Sequence, residues 1–298
     1  MKLRFWGVRG SYPVPGKDTV KYGGNTSCTE IELDNGRRIV LDAGTGLIQL
    51  GKTLSQRKES FNGTILLSHY HWDHIQGLPF LLQIFDPKSS IKLRGYYGEN
   101  ANPKNAMLEQ IRNIYCPFEY KDLLASFDYE PVTEGRTEVE GIQTDVIFMN
   151  HPGGSVSYKF HINGKKYIYV TDNDITFPEF DYKVEAFKTQ DSTEKEFISN
   201  GIQKVIDFVR DADLLIHDSM YYRGEANVRV GYGHSCFEDT VSLALEANVK
   251  KLVLFHHDPD HNDEEVANIL ELSRAKVRDS GKQMECVAAQ EGLEIELG

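Results

Sequence analysis

The sequence lacks several features that would place it in common classes of protein. No stretch approaches the roughly 18–20 consecutive apolar residues that a membrane-spanning helix needs. The first residues lead directly into strand-like sequence and contain no apolar core of a signal peptide. We therefore expect no membrane partner, no secretion and a cytoplasmic location.

Cysteine is scarce and scattered. The chain has 4 cysteines in 298 residues, and no two of them form a CxxC pair. This spacing is typical neither of a disulfide scaffold nor of a zinc site built from thiolates. It fits a protein that works in a reducing compartment.

Basic residues are in the minority. The chain carries 33 Lys and Arg against 45 Asp and Glu, which gives a net charge of −12. Proteins that grip long nucleic acids need a basic face to neutralise phosphates, so a long nucleic acid is not the favoured partner. With 40% hydrophobic and 26% charged residues, the composition is otherwise that of an ordinary globular protein.

The order of predicted elements indicates an α/β protein. Short β-segments separated by Gly and Asn turns fill much of the first half, and strands and helices alternate towards the end. We predict a single domain over residues 1–298, with insertions near 100–130 and 176–200. Residues 104–126 are predicted to be helical, and their Tyr and Phe side chains either cover the core or form part of a cap that stacks on a base.

The densest group of metal-ligand residue types follows the predicted strand Thr64–Ser68. His69 and His71 lie two residues apart, so in an extended segment their side chains point the same way and can converge on one cation. Asp73 and His74 follow where the chain turns into a helix, and they can hold a second cation. Imidazole and carboxylate ligands favour zinc, with manganese or iron as alternatives.

Three further ligand types each follow an apolar run. His151, Asp172 and His256 stand at predicted strand ends, where sites on sheet proteins are built. Singly, each is as readily a capping or solvent-facing residue, but a shared metal centre explains them together. His257 is an alternative to His256, and we favour His256 because it directly follows the strand.

The order of these residues resembles that of the metallo-β-lactamase superfamily of hydrolases. The resemblance implies a four-layered αβ/βα sandwich with two divalent metal ions between the sheets. Asp42 matches a carboxylate that orients the ligands, with a simple turn Asp before Gly as the alternative. The implied ligands are His69, His71 and His151 for one ion, Asp73, His74 and His256 for the other, and Asp172 as the bridge.

Two later segments resemble ribonuclease Z and its phosphodiesterase relatives. They are the stretch around Gly233-His234-Ser235-Cys236 and the stretch Leu214–Ser219. The resemblance implies that His234 is the general acid and that Asp218 orients it. The family usually has Glu at this second position, so the shorter Asp must reach His234 differently. The alternative for His234 is a cap on the helix that begins near Phe237.

The expected chemistry is phosphodiester hydrolysis. Two cations about 3.5–4 Å apart can bind a bridging hydroxide that attacks phosphorus, and His234 then protonates the leaving oxygen. The expected catalytic residues are His234, Asp218 and Asp73. The alternatives are a carbonyl hydrolase acting on a thioester, lactone or β-lactam, a tRNA-processing endoribonuclease, and a binding module without turnover.

The preferred substrate is a small phosphodiester, either a cyclic nucleotide or a short oligonucleotide. Ribonuclease Z holds tRNA with a long flexible arm, and no basic arm of this kind is present in the sequence. Relatives are often dimers, so a homodimer is one option. Of the remaining histidines, His161 is expected to be structural within a strand, and His261 to lie on the surface.

Overall fold

The computed structural model describes residues 1–98, 102–175, 192–226, 228–229 and 231–298, with the side chains of 192–200 excepted. The strands are β1 (Lys2–Gly7), β2 (Cys28–Glu32), β3 (Arg38–Leu41), β4 (Asn62–Leu66), β5 (Ser90–Tyr96), β6 (Ser126–Val132), β7 (Gly135–Val139), β8 (Ile142–Met149), β9 (Ser155–Ile162), β10 (Lys165–Val170), β11 (Leu214–Asp218), β12 (Lys251–Phe255), β13 (Glu285–Ala288) and β14 (Glu294–Glu296). The helices are α1 (Gly46–Arg57), α2 (Trp72–Ile75), α3 (Pro103–Leu108), α4 (Ser192–Val209), α5 (Arg223–Ala226), α6 (Phe237–Glu246) and α7 (Asp263–Asp279).

The strands form two seven-stranded sheets. The first has the order β14-β1-β2-β3-β4-β5-β6, and the second has the order β13-β12-β11-β10-β9-β8-β7. Both sheets are mixed, because β3 to β6 pair in parallel in the first and β10 to β13 pair in parallel in the second. Parallel neighbours end at the same edge of a sheet, so the residues after these strands are brought close together.

The chain divides into two compact units. One comprises Met1–Gln143 with Ala289–Gly298, and the other comprises Thr144–Ala288. In the first unit, α1 buries the stripe Leu47, Leu50 and Leu54 in an apolar core with residues of the sheet. Each such leucine contributes about 1.5–3 kcal/mol relative to an exposed position.

The second unit has its own apolar core. Buried side chains of α6 and α7 pack there with the inner residues of β10, β11 and β12. These three strands are buried along nearly their whole length, which is typical of parallel strands covered on both faces. A rigid sheet of this kind fixes the positions of the loops at its edge.

The prediction of a helix over 104–126 is largely wrong. The helix α3 begins after Asn102, whose side chain accepts a hydrogen bond from the Asn105 backbone N–H, and it ends at Leu108. Turns follow up to the short 3-10 helix Tyr120–Asp122. Pro117 explains part of the difference, because a proline disfavours helical backbone in the residue before it.

The predicted domain organisation stays a prediction. Of the two proposed insertions, most of the second falls on residues 176–191, which lie outside the described residues. Within the described ranges, no helix combines the length and the apolar character that crossing a membrane requires.

Candidate metal centre

In the first unit, the predicted ligand motif lies directly after β4. His69 is buried and His71 is exposed, and their ring centres are 4.6 Å apart. The chain enters α2 at Trp72, so Asp73 and His74 fall on its first turn, and the His69 and His74 rings approach to 4.1 Å. The motif therefore places the side chains of the two proposed ligand pairs, His69 with His71 and Asp73 with His74, close to one another.

Asp42 organises this group from the end of the neighbouring strand β3. Its two carboxylate oxygens accept hydrogen bonds from the Ser68 backbone N–H at 2.7 Å, the Ser68 hydroxyl at 2.9 Å and His74 Nδ1 at 2.9 Å. Because the Ser68 hydroxyl donates its hydrogen bond to Asp42, its oxygen accepts a hydrogen bond from His69 Nδ1 at 3.0 Å. Both imidazoles thus carry their proton on Nδ1 and present the Nε2 lone pair, as metal-ligating histidines do.

The contact between His74 and Asp73 shows that these residues fit a cation. His74 Nε2 lies 3.1 Å from Asp73 Oδ2. With the His74 proton on Nδ1, both facing atoms are electron-pair donors, and a shared proton or a metal ion bound by both would stabilise this arrangement. The same Asp73 oxygen accepts the Ser11 backbone N–H at 2.7 Å, which holds the carboxylate in place.

In the second unit, Asp172 is the centre of another group. It follows β10 and accepts the Thr171 hydroxyl at 2.7 Å. Its Oδ1 lies 3.1 Å from His256 Nε2, and its Oδ2 lies 3.6 Å from His151 Nε2. His151 Nδ1 donates to the Gly233 carbonyl at 2.9 Å, which directs Nε2 towards Asp172.

Backbone strain coincides with three of these positions. Asp42, Asp172 and His256 each follow a strand, and they have φ values of 59°, 25° and 59°. A left-handed conformation in a residue other than glycine costs of order 1–3 kcal/mol and persists where its surroundings impose it. In this conformation the Asp42 carboxylate accepts from Ser68, and Asp172 accepts from Thr171 and faces His256 Nε2.

His234 and Asp218 form the predicted pair. His234 Nδ1 donates to Asp218 Oδ2 at 3.0 Å, so the shorter Asp reaches the imidazole directly. Asp218 also accepts the backbone N–H groups of Met220 and Ser235. The residue that caps α6 is Cys236, without a side-chain hydrogen bond, so His234 does not serve as that cap.

The His234 ring also lies beside the ligand group of its unit. It stacks on His256 with ring centres 5.0 Å apart and planes 26° apart, and its Nδ1 is 3.9 Å from Asp172 Oδ2. Ligand atoms of Asp218, His234 and His256 all lie within 4.8 Å of one another. The second unit therefore places the proposed acid next to candidate metal ligands.

Asn173 is a residue that sequence reasoning missed. It is buried beside Asp172, its backbone N–H donates to Asp218 Oδ2 at 3.4 Å, and its side-chain oxygen accepts from the Asn150 backbone N–H. Its carbonyl accepts the Ser235 hydroxyl at 2.5 Å. Asn173 thus ties together the segments that carry Asp172, His151 and His234. The only signal in the sequence was its place in the Thr-Asp-Asn turn.

The remaining histidines differ in their surroundings. His161 pairs with Asp145 on the neighbouring strand at 2.8 Å, as expected of a structural residue. His256, which we favoured over His257, contacts Asp172. The surface position expected for His261 is wrong, because this side chain is buried and its Nε2 lies 3.0 Å from Glu225 Oε1.

Comparison with known proteins agrees with this geometry. The family model of the metallo-beta-lactamase superfamily matches residues 22–206. The chain belongs to this superfamily. It is therefore a metal-dependent hydrolase with the metallo-beta-lactamase fold, and its imidazole and carboxylate groups can bind metal ions. The predictions of family, fold class and enzyme class are confirmed.

Individual relatives are distant in sequence. A ribonuclease Z of Picrophilus torridus is 24% identical over 287 residues, covering 88% of this chain and 87% of the relative. The metallo-beta-lactamase fold protein YhfI from Bacillus subtilis has a TM-score of 0.66 at 17% identity, covering 99% of both chains. The short form of human tRNase Z has a TM-score of 0.64 at 17% identity and covers all of both chains. At these identities, the two solved structures establish the fold alone.

Proposed function

We propose that this enzyme is a phosphodiesterase that hydrolyses a small phosphodiester, such as a cyclic nucleotide or a short oligonucleotide. The observation that carries the proposal is the His234–Asp218 pair beside Asp172 and His256. An alkoxide leaving group needs a proton, and an imidazole held on Nδ1 by a carboxylate can deliver one from Nε2. A hydrolase of thioesters or lactones has less use for such an acid.

The proposed ligand sets are those expected from the sequence. Two divalent cations would neutralise charge on the phosphate and activate water for attack. Zinc is our first choice of metal, with manganese or iron as alternatives. The ligands are His69, His71 and His151 for one ion, Asp73, His74 and His256 for the other, and Asp172 for both.

The protein's own residues have distinct tasks in this proposal. Asp42 and Ser68 fix the tautomers of His74 and His69, so their Nε2 atoms stay available as ligands. Asp218 orients His234 and stabilises the imidazolium that gives up the proton. Asp73, held by the Ser11 backbone N–H, contributes negative charge where a cation would bind.

A tRNA-processing endoribonuclease is the second candidate. It is supported by the relatives that are named ribonuclease Z. Against it stands the net charge of −12, which disfavours a large polyanion relative to a small diester. The four cysteines are buried and form no disulfide, which fits a reducing compartment and supports the proposed cytoplasmic location.

The decisive experiment measures turnover of a cyclic nucleotide, whose leaving group is an alkoxide, by metal-loaded protein and its His234→Ala variant. We expect kcat to fall by about 10²–10⁴-fold while the metal content stays unchanged. His161→Ala, which removes a structural histidine from the same unit, should keep normal turnover. Unaltered turnover without His234, or loss of metal from that variant, contradicts the assigned role.

Substrate class is then tested with a cyclic nucleotide, a short oligonucleotide and a precursor tRNA. Higher kcat/KM on the small diesters supports our proposal, and higher kcat/KM on the precursor tRNA supports the second candidate. If metal-loaded protein hydrolyses no diester and hydrolyses a thioester or lactone, the phosphodiesterase assignment is wrong.

A further inference from the structure

The first unit contains an aromatic groove that the proposed catalytic residues do not use. It has a volume of about 460 Å³ and is formed by α1, α2, the turn after α2 and the segment after α3. Four large apolar side chains in it are exposed over half or more of their surface. These four side chains are Trp72, Phe80, Ile114 and Tyr115.

The position of Trp72 links this groove to the metal ligands. Trp72 stands between His71 and Asp73 in the ligand motif, and its side chain is 67% exposed. Consecutive Cα atoms are about 3.8 Å apart, so the Trp72 backbone adjoins that of both proposed ligand residues. A substrate whose phosphate lies at those ligands can place its next chemical group in the groove.

The lining has the chemistry of a site for an uncharged aromatic group. All of its residues are uncharged, although the chain as a whole carries a charge of −12. Two amide side chains are fixed within it, since Gln76 Nε2 donates to Thr26 Oγ1 at 3.1 Å and Gln110 Nε2 donates to the Ile75 carbonyl at 3.2 Å. Aromatic rings that stack and amides that bond to polar edges are what proteins use to hold a nucleobase.

The dimensions favour a small ligand over a second protein chain. A volume near 460 Å³ falls in the range of small-molecule sites, about 300–1,000 Å³. A stable protein interface uses roughly 20–30 residues on each side, many more than line this groove. Resting on the proposed function, we propose that the groove binds the nucleobase of the phosphodiester substrate, and that Trp72 stacks on that base.

The direct test uses the fluorescence of Trp72, which needs no turnover. The chain has 2 tryptophans, and the other, Trp6, is buried and donates to Glu30 at 2.8 Å. Titration of metal-loaded protein with AMP should quench the emission of Trp72, whereas ribose 5-phosphate, which has the same phosphate and sugar without a base, should not. In the Trp72→Phe variant only Trp6 emits, and AMP should leave that emission unchanged. Equal responses to the two ligands overturn the proposal.

A second test compares two substrates that share a leaving group. They are the p-nitrophenyl phosphodiesters of thymidine and of methanol. Trp72→Ala should raise KM for the thymidine ester by about ten-fold or more while leaving KM for the methyl ester within two-fold, and Trp72→Phe should restore most of the difference. Tyr120→Ala removes an exposed aromatic outside the groove and should change neither KM. Equal effects of Trp72→Ala on both esters overturn the proposal.

The two tests separate failure of the groove from failure of the proposed function. If neither ester is hydrolysed but AMP alone quenches Trp72, the phosphodiesterase assignment fails and the groove remains a base-binding site. If both esters are hydrolysed and AMP does not quench, the groove proposal fails. Trp72 emission that changes with protein concentration, together with a dimeric mass in solution, identifies a second copy as the occupant and also overturns it.

Discussion

At the scale of single residues, Asp42 shows how one carboxylate can determine what its neighbours bind. It has only acceptor atoms, so the groups around it must be donors: the Ser68 backbone and hydroxyl, and His74 Nδ1. That arrangement commits the two histidines to the tautomer with Nε2 as the ligand atom. Asp42 therefore sets the basicity and direction of the two imidazoles that we propose as metal ligands.

Replacing Asp42 with Asn keeps the shape but removes this control. One side-chain oxygen becomes an NH₂ group, which accepts no hydrogen bond. The asparagine therefore cannot accept all the hydrogen bonds that Ser68 and His74 Nδ1 donate to Asp42. We expect Asp42→Asn to lower metal affinity by about 10–100-fold, as is usual when a partner of a ligating histidine is lost. Competition with a chromophoric chelator measures the affinity.

The matched control is Asp34→Asn, which makes the same change in an exposed turn of the same unit. It should leave metal affinity at the wild-type value. Wild-type affinity in Asp42→Asn, with the fold intact by circular dichroism, would show that Asp42 is merely a turn residue.

At the scale of elements, the strands that precede the proposed ligands were predicted accurately from the sequence, and the connecting segments were predicted poorly. Short apolar runs followed by a polar residue identified the ends of β4, β8, β10 and β12, because that pattern reflects both burial and the sheet edge. The prediction of a helix was wrong over residues 110–118, because the helical spacing of aromatic residues does not reveal that Pro117 and turn geometry prevail there. Asn173 and Ser68 were not predicted as site residues, since their roles depend on backbone contacts that no spacing encodes.

Glu140 illustrates an interaction between elements that the sequence did not reveal. It lies in the turn between β7 and β8 and contacts Arg37 through two hydrogen bonds, while the Thr64 hydroxyl donates to it at 2.6 Å. Burial raises the pKa of the Glu140 carboxyl, but the hydrogen bonds from Arg37 and Thr64 outweigh it, and the net pKa lies below the ordinary value of 4.5.

The sign of the pH dependence follows from that depressed pKa. Between the folded and the unfolded pKa, the unfolded chain binds more protons, so Glu140 stabilises the fold above the unfolded value and loses this effect as the pH falls through the folded value. We expect Glu140→Gln to lower the free energy of unfolding by about 1–3 kcal/mol at neutral pH, typical of a bond to a charged group. The difference from wild type should shrink steadily below pH 4.5. Urea unfolding at a series of pH values measures it.

Glu138→Gln is the control for this interaction. It makes the same change two residues away on the exposed part of β7. Its stability should match wild type at every pH. A constant difference between Glu140→Gln and wild type from neutral to acid pH would show that shape, and not charge, accounts for the contact.

At the scale of the whole molecule, the proposed metal ions link distant parts of the chain. The ligands follow β4, β8, β10 and β12, so they span residues 69–256 of the sequence. The unfolded chain cannot hold ligands so far apart in one geometry, so metal binding favours the folded state. At a free metal concentration one hundred times the dissociation constant, one such site adds about 2.7 kcal/mol to the free energy of unfolding.

Removal of the metal should therefore lower the melting temperature. We expect a decrease of several degrees after exhaustive chelation, because each kcal/mol corresponds to roughly 2–4 °C in a chain of about this size. His256→Ala should show a smaller decrease, since it lacks a ligand already, whereas His161→Ala should respond like wild type. Calorimetry with metal analysis of the same samples measures both quantities. An unchanged melting temperature in protein that has lost its metal would mean that the metal binds the folded chain no more tightly than the unfolded chain, which contradicts the proposed metal centre.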